Sequence, residues 1–280
     1  MANATDTSAR WQRFFGHSDY VRFASVILSP ARTAAELGGL KRLVRLGIGT
    51  RVLDLGCGYG RFSVPLAHAG SAVTALDGSG EQLRLARAAA ARAAVEIEFV
   101  HGNMLELDRV ETFDVVLCLG TALGYVEDAD ADLRIIAAIE RALVPGGTVL
   151  IDTEGGGPKL RAPGSMDFEM AGMSVHSDRA FDPGTGRWHE HLSWSRNGER
   201  DSADYSLRLY SDVELCELLE QQGLSVDGAW GSLAGEPLQA DSSRLVVRAH
   251  KPDAAGARAP ALRATERDRR PSAPSPSDRD

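Results

Sequence analysis

Residues able to do chemistry gather at a few points along the 280-residue chain. The first is Val52-Leu53-Asp54-Leu55-Gly56-Cys57-Gly58-Tyr59-Gly60-Arg61, where a short apolar run feeds a G-x-G-x-G loop and then a helical stretch. Glycines at 56, 58 and 60 let the chain turn sharply and leave bare backbone on which a ligand can lie. A dinucleotide fingerprint would be G-x-G-x-x-G, and its third glycine position is Arg61 here. Asp54 puts a negative charge at the mouth of the loop, which repels a pyrophosphate and suits a cation. The second point is Asp77-Gly78, at the end of the next strand-like run. A carboxylate there can accept both hydrogen bonds of a ribose diol, or start a turn and cap the following helix. The third is Gly102-Asn103-Met104, where Asn103 can meet the polar edge of an adenine and Met104 its face. S-adenosylmethionine, with an ammonium, a sulfonium and no phosphate, fits this set as cofactor.

Groups for proton transfer lie elsewhere. His189 and His191 are two apart on a predicted strand and so share a face, with His176 on the neighbouring strand and His17 near the start. If that face roofs the pocket, one of them is the base for a nitrogen or oxygen nucleophile; otherwise they are surface hairpin residues. Tyr125 follows the fourth strand, at the sheet edge where α/β ligands bind, and joins the two histidines as a catalytic candidate. Trp11, Phe14, Phe15 and Tyr20 form either packing for an N-terminal helix or the apolar wall of a substrate pocket. Asp152 and Glu154, after the fifth strand, are candidates to hold a cationic substrate. No metal is expected, because no third ligand accompanies the histidines. Cys57, Cys118 and Cys216 make no C-x-x-C pair, and Cys57 reads as a small residue tolerated beside the cofactor.

The elements that must position these groups alternate. Residues 51–55, 72–76, 96–100, 113–119 and 148–152 read as strands, with helices over about 61–69, 79–93 and 130–144, the last stopped by Pro145-Gly146-Gly147. Ser79 and Gln82 have capping-box spacing, as do Ser211 and Glu214. The apolar run FDVVLCL from Phe113 demands a strand buried on both faces. From about 172 to 209 the rhythm becomes three strands joined by Asp182-Pro183-Gly184-Thr185-Gly186 and Arg196-Asn197-Gly198-Glu199, which is turn chemistry. Residues 224–230 and 244–250 close the main sheet as a hairpin pair. The fold class is therefore α/β: a Rossmann-like, doubly wound, mostly parallel seven-stranded sheet with an inserted antiparallel hairpin layer. Residues 10–45 form an N-terminal helical segment and 46–251 the main domain, with the insertion at about 160–210. Residues 1–9 and 252–280, poor in large apolar groups, are expected to be disordered.

Composition bounds the function. The formal net charge is -8 and no basic run appears in the body of the chain, which disfavours nucleic acid and leaves a small-molecule substrate. No apolar stretch approaches the ~18 residues of a membrane span, and no secretory leader opens the chain, so a cytoplasmic monomer or homodimer is expected.

DLGCGYGR, LDGS, HGNM, FDVVLCLG and LVPGG resemble, in order and spacing, the successive motifs of class I S-adenosylmethionine-dependent methyltransferases, over about residues 51–153. Asp19-Tyr20, Ser29-Pro30-Ala31-Arg32-Thr33, the stretch from Tyr205 to Ser211 and the stretch from Gly120 to Tyr125 are similar to a bacterial small-molecule subgroup that includes sugar N-methyltransferases of antibiotic pathways. The resemblance implies methyl transfer to N, O or C in secondary metabolism. It also implies that residues 10–45 fold over the cofactor as a lid, that Tyr20 and Arg61 lie near the methionine end and that Leu119 and Gly120 line the methyl group. Two positions depart from the family: aspartate is commoner at Asn103, and Gly78 is unusual after Asp77. Two other readings of the scaffold stay open at this point: cyclisation or elimination using the bound sulfonium, and a catalytically silent binding subunit.

Overall fold

The structure is a computed structural model and describes residues 8–17, 19–160 and 162–253. Three helices open it, α1 (Ser8–Gly16), α2 (Tyr20–Ile27) and α3 (Pro30–Leu43). Ser29 caps α3, its hydroxyl accepting the Arg32 amide, and Pro30 occupies the first turn, where no intrahelical donor is missed. Then follow β1 (Arg51–Leu55), α4 (Ser63–His68), β2 (Ala72–Asp77), α5 (Gly80–Ala93), β3 (Glu98–His101), β4 (Phe113–Cys118), α6 (Ala131–Ala142) and β5 (Leu143–Glu154). The insertion is α7 (Gly156–Leu160) with β6 (Gly164–Met170), β7 (Met173–Asp182), β8 (Arg187–Arg196) and β9 (Glu199–Arg208). The chain returns through α8 (Asp212–Gln221), β10 (Ser225–Trp230) and β11 (Arg244–His250).

The main sheet has seven strands in the order β10-β11-β5-β4-β1-β2-β3, parallel except where β11 pairs with β5 and β10. Alternation of side chains explains its apolar runs. Val116 and Cys118 of β4, Val149 and Ile151 of β5, and Leu245 and Val247 of β11 face one cluster, with Ile135 and Ile139 of α6 and Leu215 and Leu219 of α8. Val115 and Leu117, Leu150, and Val246 face the other, with Leu40 and Leu43 of α3 and Leu66 of α4. A strand covered on both faces must be apolar at every position.

Four details differ from expectation. The insertion is a four-stranded antiparallel sheet, β6-β7-β8-β9, rather than three strands. β6 is an edge strand of mostly exposed residues, so its sequence carries little apolar signal. Helix α6 ends at Ala142 rather than near Val144, because the Glu111 and Thr112 amides take the Arg141 and Ala142 carbonyls. Pro145-Gly146-Gly147 consequently falls inside β5, as an irregularity between the pairs Phe113–Leu143 and Val115–Thr148. Finally, Ser8 and Ala9 belong to α1. Pro252 and Asp253, also expected to be disordered, are described too, as irregular chain following β11; the rest, 1–7 and 254–280, lie outside the described residues.

Candidate functional site

Strands β1 to β4 end on one side of the sheet, and the loops leaving those ends enclose a cleft. The glycine loop forms its floor. The Gly56 and Cys57 amides donate to the Leu76 carbonyl (2.8 and 3.0 Å), tying the loop to β2. Gly56 has φ +80°, and a Cβ there would lie 2.5 Å from the Ala122 Cβ and 2.8 Å from the Met104 Cε. Only glycine satisfies both the turn and the approach.

Asp77 fills two roles. Its Oδ2 accepts the Gly58 amide (2.7 Å) and its Oδ1 the Ser79 amide (2.8 Å), so it both starts the turn into α5 and clamps the glycine loop. Each oxygen keeps acceptor capacity beyond its one amide, and the residue lines the cleft. Burial pushes its carboxyl above the ordinary range, and the two amides oppose that. Asp54 is 2% exposed, and Ser63 hydrogen-bonds it through both its hydroxyl and its backbone amide. Burial raises its pKa to about 6. A carboxylate buried here fits a cationic ligand, and a pyrophosphate beside it would be repelled. Gln82 adds an unmet group: its Nε2 donates to the Phe15 carbonyl (2.8 Å), while its buried Oε1 has no partner.

Of the residues named from the sequence, Tyr20, Asp54, Gly56, Cys57, Gly58, Arg61, Asp77, Gly78, Asn103, Met104, Leu119, Gly120 and Tyr125 all line this cleft. Gly60 does not. A Cβ on it would meet the Ala86 and Val64 side chains at 3.2 and 3.3 Å, so it serves the packing of α4 against α5. The Asn103 Oδ1 also accepts the Leu105 amide (3.0 Å). Arg61 pairs with Glu36 of α3, which Arg32 holds from the other side (2.8 Å), so the loop and the lid share one ion pair. Gln82 was missed as a cleft residue, while Trp11 and Phe15, offered as helix packing or substrate-pocket wall, line this cleft. A Cβ on Gly78 would come within 2.4 Å of the Trp11 ring, and that close fit places α1 across the cleft.

Beside the cleft lies a second cavity, of about 550 Å³, between α1 and α2, the end of β5 and the inner face of the four-stranded sheet. Tyr20, Arg61, Gly120, Thr121 and Tyr125 line both spaces. The lid is pinned to that sheet by His17 with Asp201 (2.7 Å) and by the Trp194 indole donating to Asp19 (3.1 Å).

The histidines are corrected here. On β8, Trp188, Glu190 and Trp194 point inward and are buried, while His189 and His191 are exposed on the outer face, where His191 bonds Asp204 (2.6 Å). His176 likewise faces outward, against Asp167 (2.7 Å). Glu190 is thus the residue β8 offers the cavity, and it was missed. Burial pushes its carboxyl up, but the Tyr205, Ser177 and Trp188 donors and the Lys159 charge together hold it below the ordinary value. Tyr125 stays protonated, its hydroxyl driven well up by burial, which makes it a donor or wall rather than a base. Asp152 is already engaged by the Gly120 amide (2.9 Å) and the Arg244 Nε (2.8 Å), which leaves it little for a cationic substrate. His189→Ala and His191→Ala are therefore expected to leave kcat within about twofold, where loss of a true base costs about a hundredfold or more; steady-state assays of both variants check this.

The Asp54 carboxyl makes affinity for a cationic ligand depend on pH. Above about pH 6 the group is ionised and attracts the ligand; below, it is protonated and the attraction is lost. Affinity for S-adenosylhomocysteine is expected to fall by up to about tenfold per pH unit on descending through that region. Calorimetric titrations between neutral pH and mildly acid buffers test this, and Asp54→Asn should flatten the profile apart from any share due to Asp77.

Among the described residues no group of histidine, cysteine and carboxylate side chains could hold a metal ion, and no helix is long and apolar enough to cross a membrane. A methyltransferase-domain family profile matches residues 52–147. The cypemycin N-terminal methyltransferase of a Streptomyces species is 28% identical, over 71% of this chain and 82% of its own. The ubiquinone biosynthesis O-methyltransferase of Xanthomonas oryzae pv. oryzae is 31% identical, over 58% of this chain and 67% of its own. In fold, an S-adenosylmethionine-dependent methyltransferase from Clostridium acetobutylicum superposes with a TM-score of 0.72 at 16% identity, spanning 82% of this chain and 96% of that one.

Proposed function

Because the chain belongs to the class I S-adenosylmethionine-dependent methyltransferases, of the bacterial small-molecule type, we propose that it methylates a small molecule of secondary metabolism in the cytoplasm, with the cleft seating the cofactor and the adjoining cavity the acceptor. Its activity is S-adenosylmethionine-dependent methyl transfer. The observation that carries the division of labour is Asp54, a buried carboxylate beside bare glycine backbone that calls for a cation and repels phosphate. The relatives named above are methyl-transferring enzymes; cyclisation, elimination and silent binding have no comparable support.

In this assignment Asp77 takes the ribose hydroxyls, Asn103 and Met104 the adenine, and Asp54 the ammonium, while Arg61 lies toward the methionine carboxylate. When bound, the sulfonium supplies a methyl group already activated for in-line displacement. The protein's own task is alignment and exclusion of water. Gly120, Thr121 and Tyr125 form the wall shared by the two spaces, with Leu119 on the cofactor side, and the lid aromatics Phe14, Phe15 and Tyr20 shut out solvent. Their rings stack edge to face at 4.9 to 5.4 Å.

The test is turnover. Purified protein is given methyl-labelled cofactor and a panel of phenols, amines, amino sugars and carboxylic acids, and label in product is followed together with S-adenosylhomocysteine. Label transfer to one class, lost in Asp54→Ala, supports the assignment. Failure of the wild-type protein to bind S-adenosylhomocysteine at about 1 mM, a bare 4 kcal/mol of affinity, would sink it.

A further inference from the structure

Resting on the acceptor assignment above, we infer that the acceptor carries a compact oxyanion, such as a carboxylate, on an apolar or aromatic body, and that Lys159 reads the anion.

The argument is one of satisfiability. Two of the cavity's three carboxylates are already engaged. Glu190 accepts from Ser177 (2.7 Å) and Arg179 (3.3 Å) on one oxygen and from Trp188 (3.0 Å) and Tyr205 on the other. Asp152 is held by Gly120 and Arg244. Glu154, one third exposed, stands 3.6 Å from Arg244. The donors are not used up in the same way. Lys159 is only 18% exposed, and its ammonium makes one long bond, to the Tyr205 hydroxyl at 3.5 Å, with Glu190 at 3.9 Å. Two of its three N–H groups are left for a ligand. The Arg244 Nη2 is buried with no hydrogen-bond partner. In total the wall carries five cationic side chains against three carboxylates.

A ligand that contributes only donors, such as an ammonium group, would leave the Lys159 ammonium unmatched; one that contributes acceptors completes it. Lys159 sits on α7, directly after β5, with its Nζ 4.8 Å from the Trp188 ring centre and 5.8 Å from that of Tyr205. Trp188, Tyr205, Phe14 and Tyr125 provide flat apolar surface for the rest of the acceptor. Glu190 and Tyr205 are positioning residues in this scheme, since they fix the ammonium and leave its outer face to the ligand.

Three matched probes test the inference: para-hydroxyphenylacetate, tyrosol and tyramine, which share a ring and differ in carrying a carboxylate, a neutral hydroxyl or an ammonium. Each is titrated by calorimetry into the free protein and into protein saturated with S-adenosylhomocysteine. The carboxylate is expected to bind about tenfold or more tighter than the alcohol, with the amine weakest. Lys159→Met should abolish that preference with S-adenosylhomocysteine affinity unchanged, and Lys159→Arg should restore part of it. Equal or tighter binding of tyrosol or tyramine overturns the inference. So does a preference that survives Lys159→Met, or no binding of the carboxylate at about 10 mM. Failure of S-adenosylhomocysteine itself to bind would count against the cofactor assignment, while the ranking of probes on the free protein judges the acceptor by itself.

Discussion

Asp77→Ala is expected to weaken S-adenosylhomocysteine binding by about a hundredfold or more, the loss of two hydrogen bonds to a charged acceptor at about 1.5–3 kcal/mol each. The effect has two sources that calorimetry and thermal unfolding separate. The first is the ribose contact. The second is the clamp, because Gly58 and Ser79 both donate to this carboxylate. Removing it leaves two partly buried amides without an acceptor and frees the loop. Asp77→Asn retains one oxygen, so it should keep one of the amide bonds and fall between wild type and Asp77→Ala in both measurements. Unchanged affinity in Asp77→Ala would remove the carboxylate from the cofactor site.

Gly56→Ala should also damage binding, by a different route. The added methyl would stand 2.5 Å from Ala122 and 2.8 Å from Met104, in a backbone conformation with φ +80°. Positive φ alone costs an alanine about 1–2 kcal/mol. The remainder is steric, and relief of the clash moves Met104 into the space assigned to adenine. Gly172→Ala separates the two, because Gly172 has φ +74° with nothing within 4 Å of the new methyl. It is expected to lower the melting temperature and leave S-adenosylhomocysteine affinity unchanged, whereas Gly56→Ala should lower both, with affinity down about tenfold or more. Equal affinities in the two variants would show that the floor of the cleft is not in contact with ligand.

The cofactor side was legible in the chain because it is built from local chemistry. A strand, a glycine loop and a helix follow one another within residues 51–68, and Asp77 closes the next strand, so their proximity follows from parallel β1–β2 pairing alone. Gly60 shows the limit, since whether a loop glycine faces ligand or a neighbouring helix depends on α5, far along the chain. On the acceptor side the signal was present but misread. W-H-E-H-L-S-W from Trp188 to Trp194 alternates, and its apolar members 188, 192 and 194 mark the inward face, which carries Glu190 inward and the histidines outward. Lys159, Arg179, Tyr205 and Arg244 come from four separate elements. Their meeting depends on how the inserted sheet folds back over β5, which no local pattern encodes.

A single helix, α1, contributes Trp11 and Phe15 to the cleft and Phe14 and Phe15 to the cavity. One door therefore serves two rooms. With the cofactor seated as proposed, behind Trp11, its release calls for α1 to move, and that motion strains the bonds of His17 to Asp201 and of Trp194 to Asp19. On that assignment traffic through the enzyme has an order, with the deeper guest first in and last out.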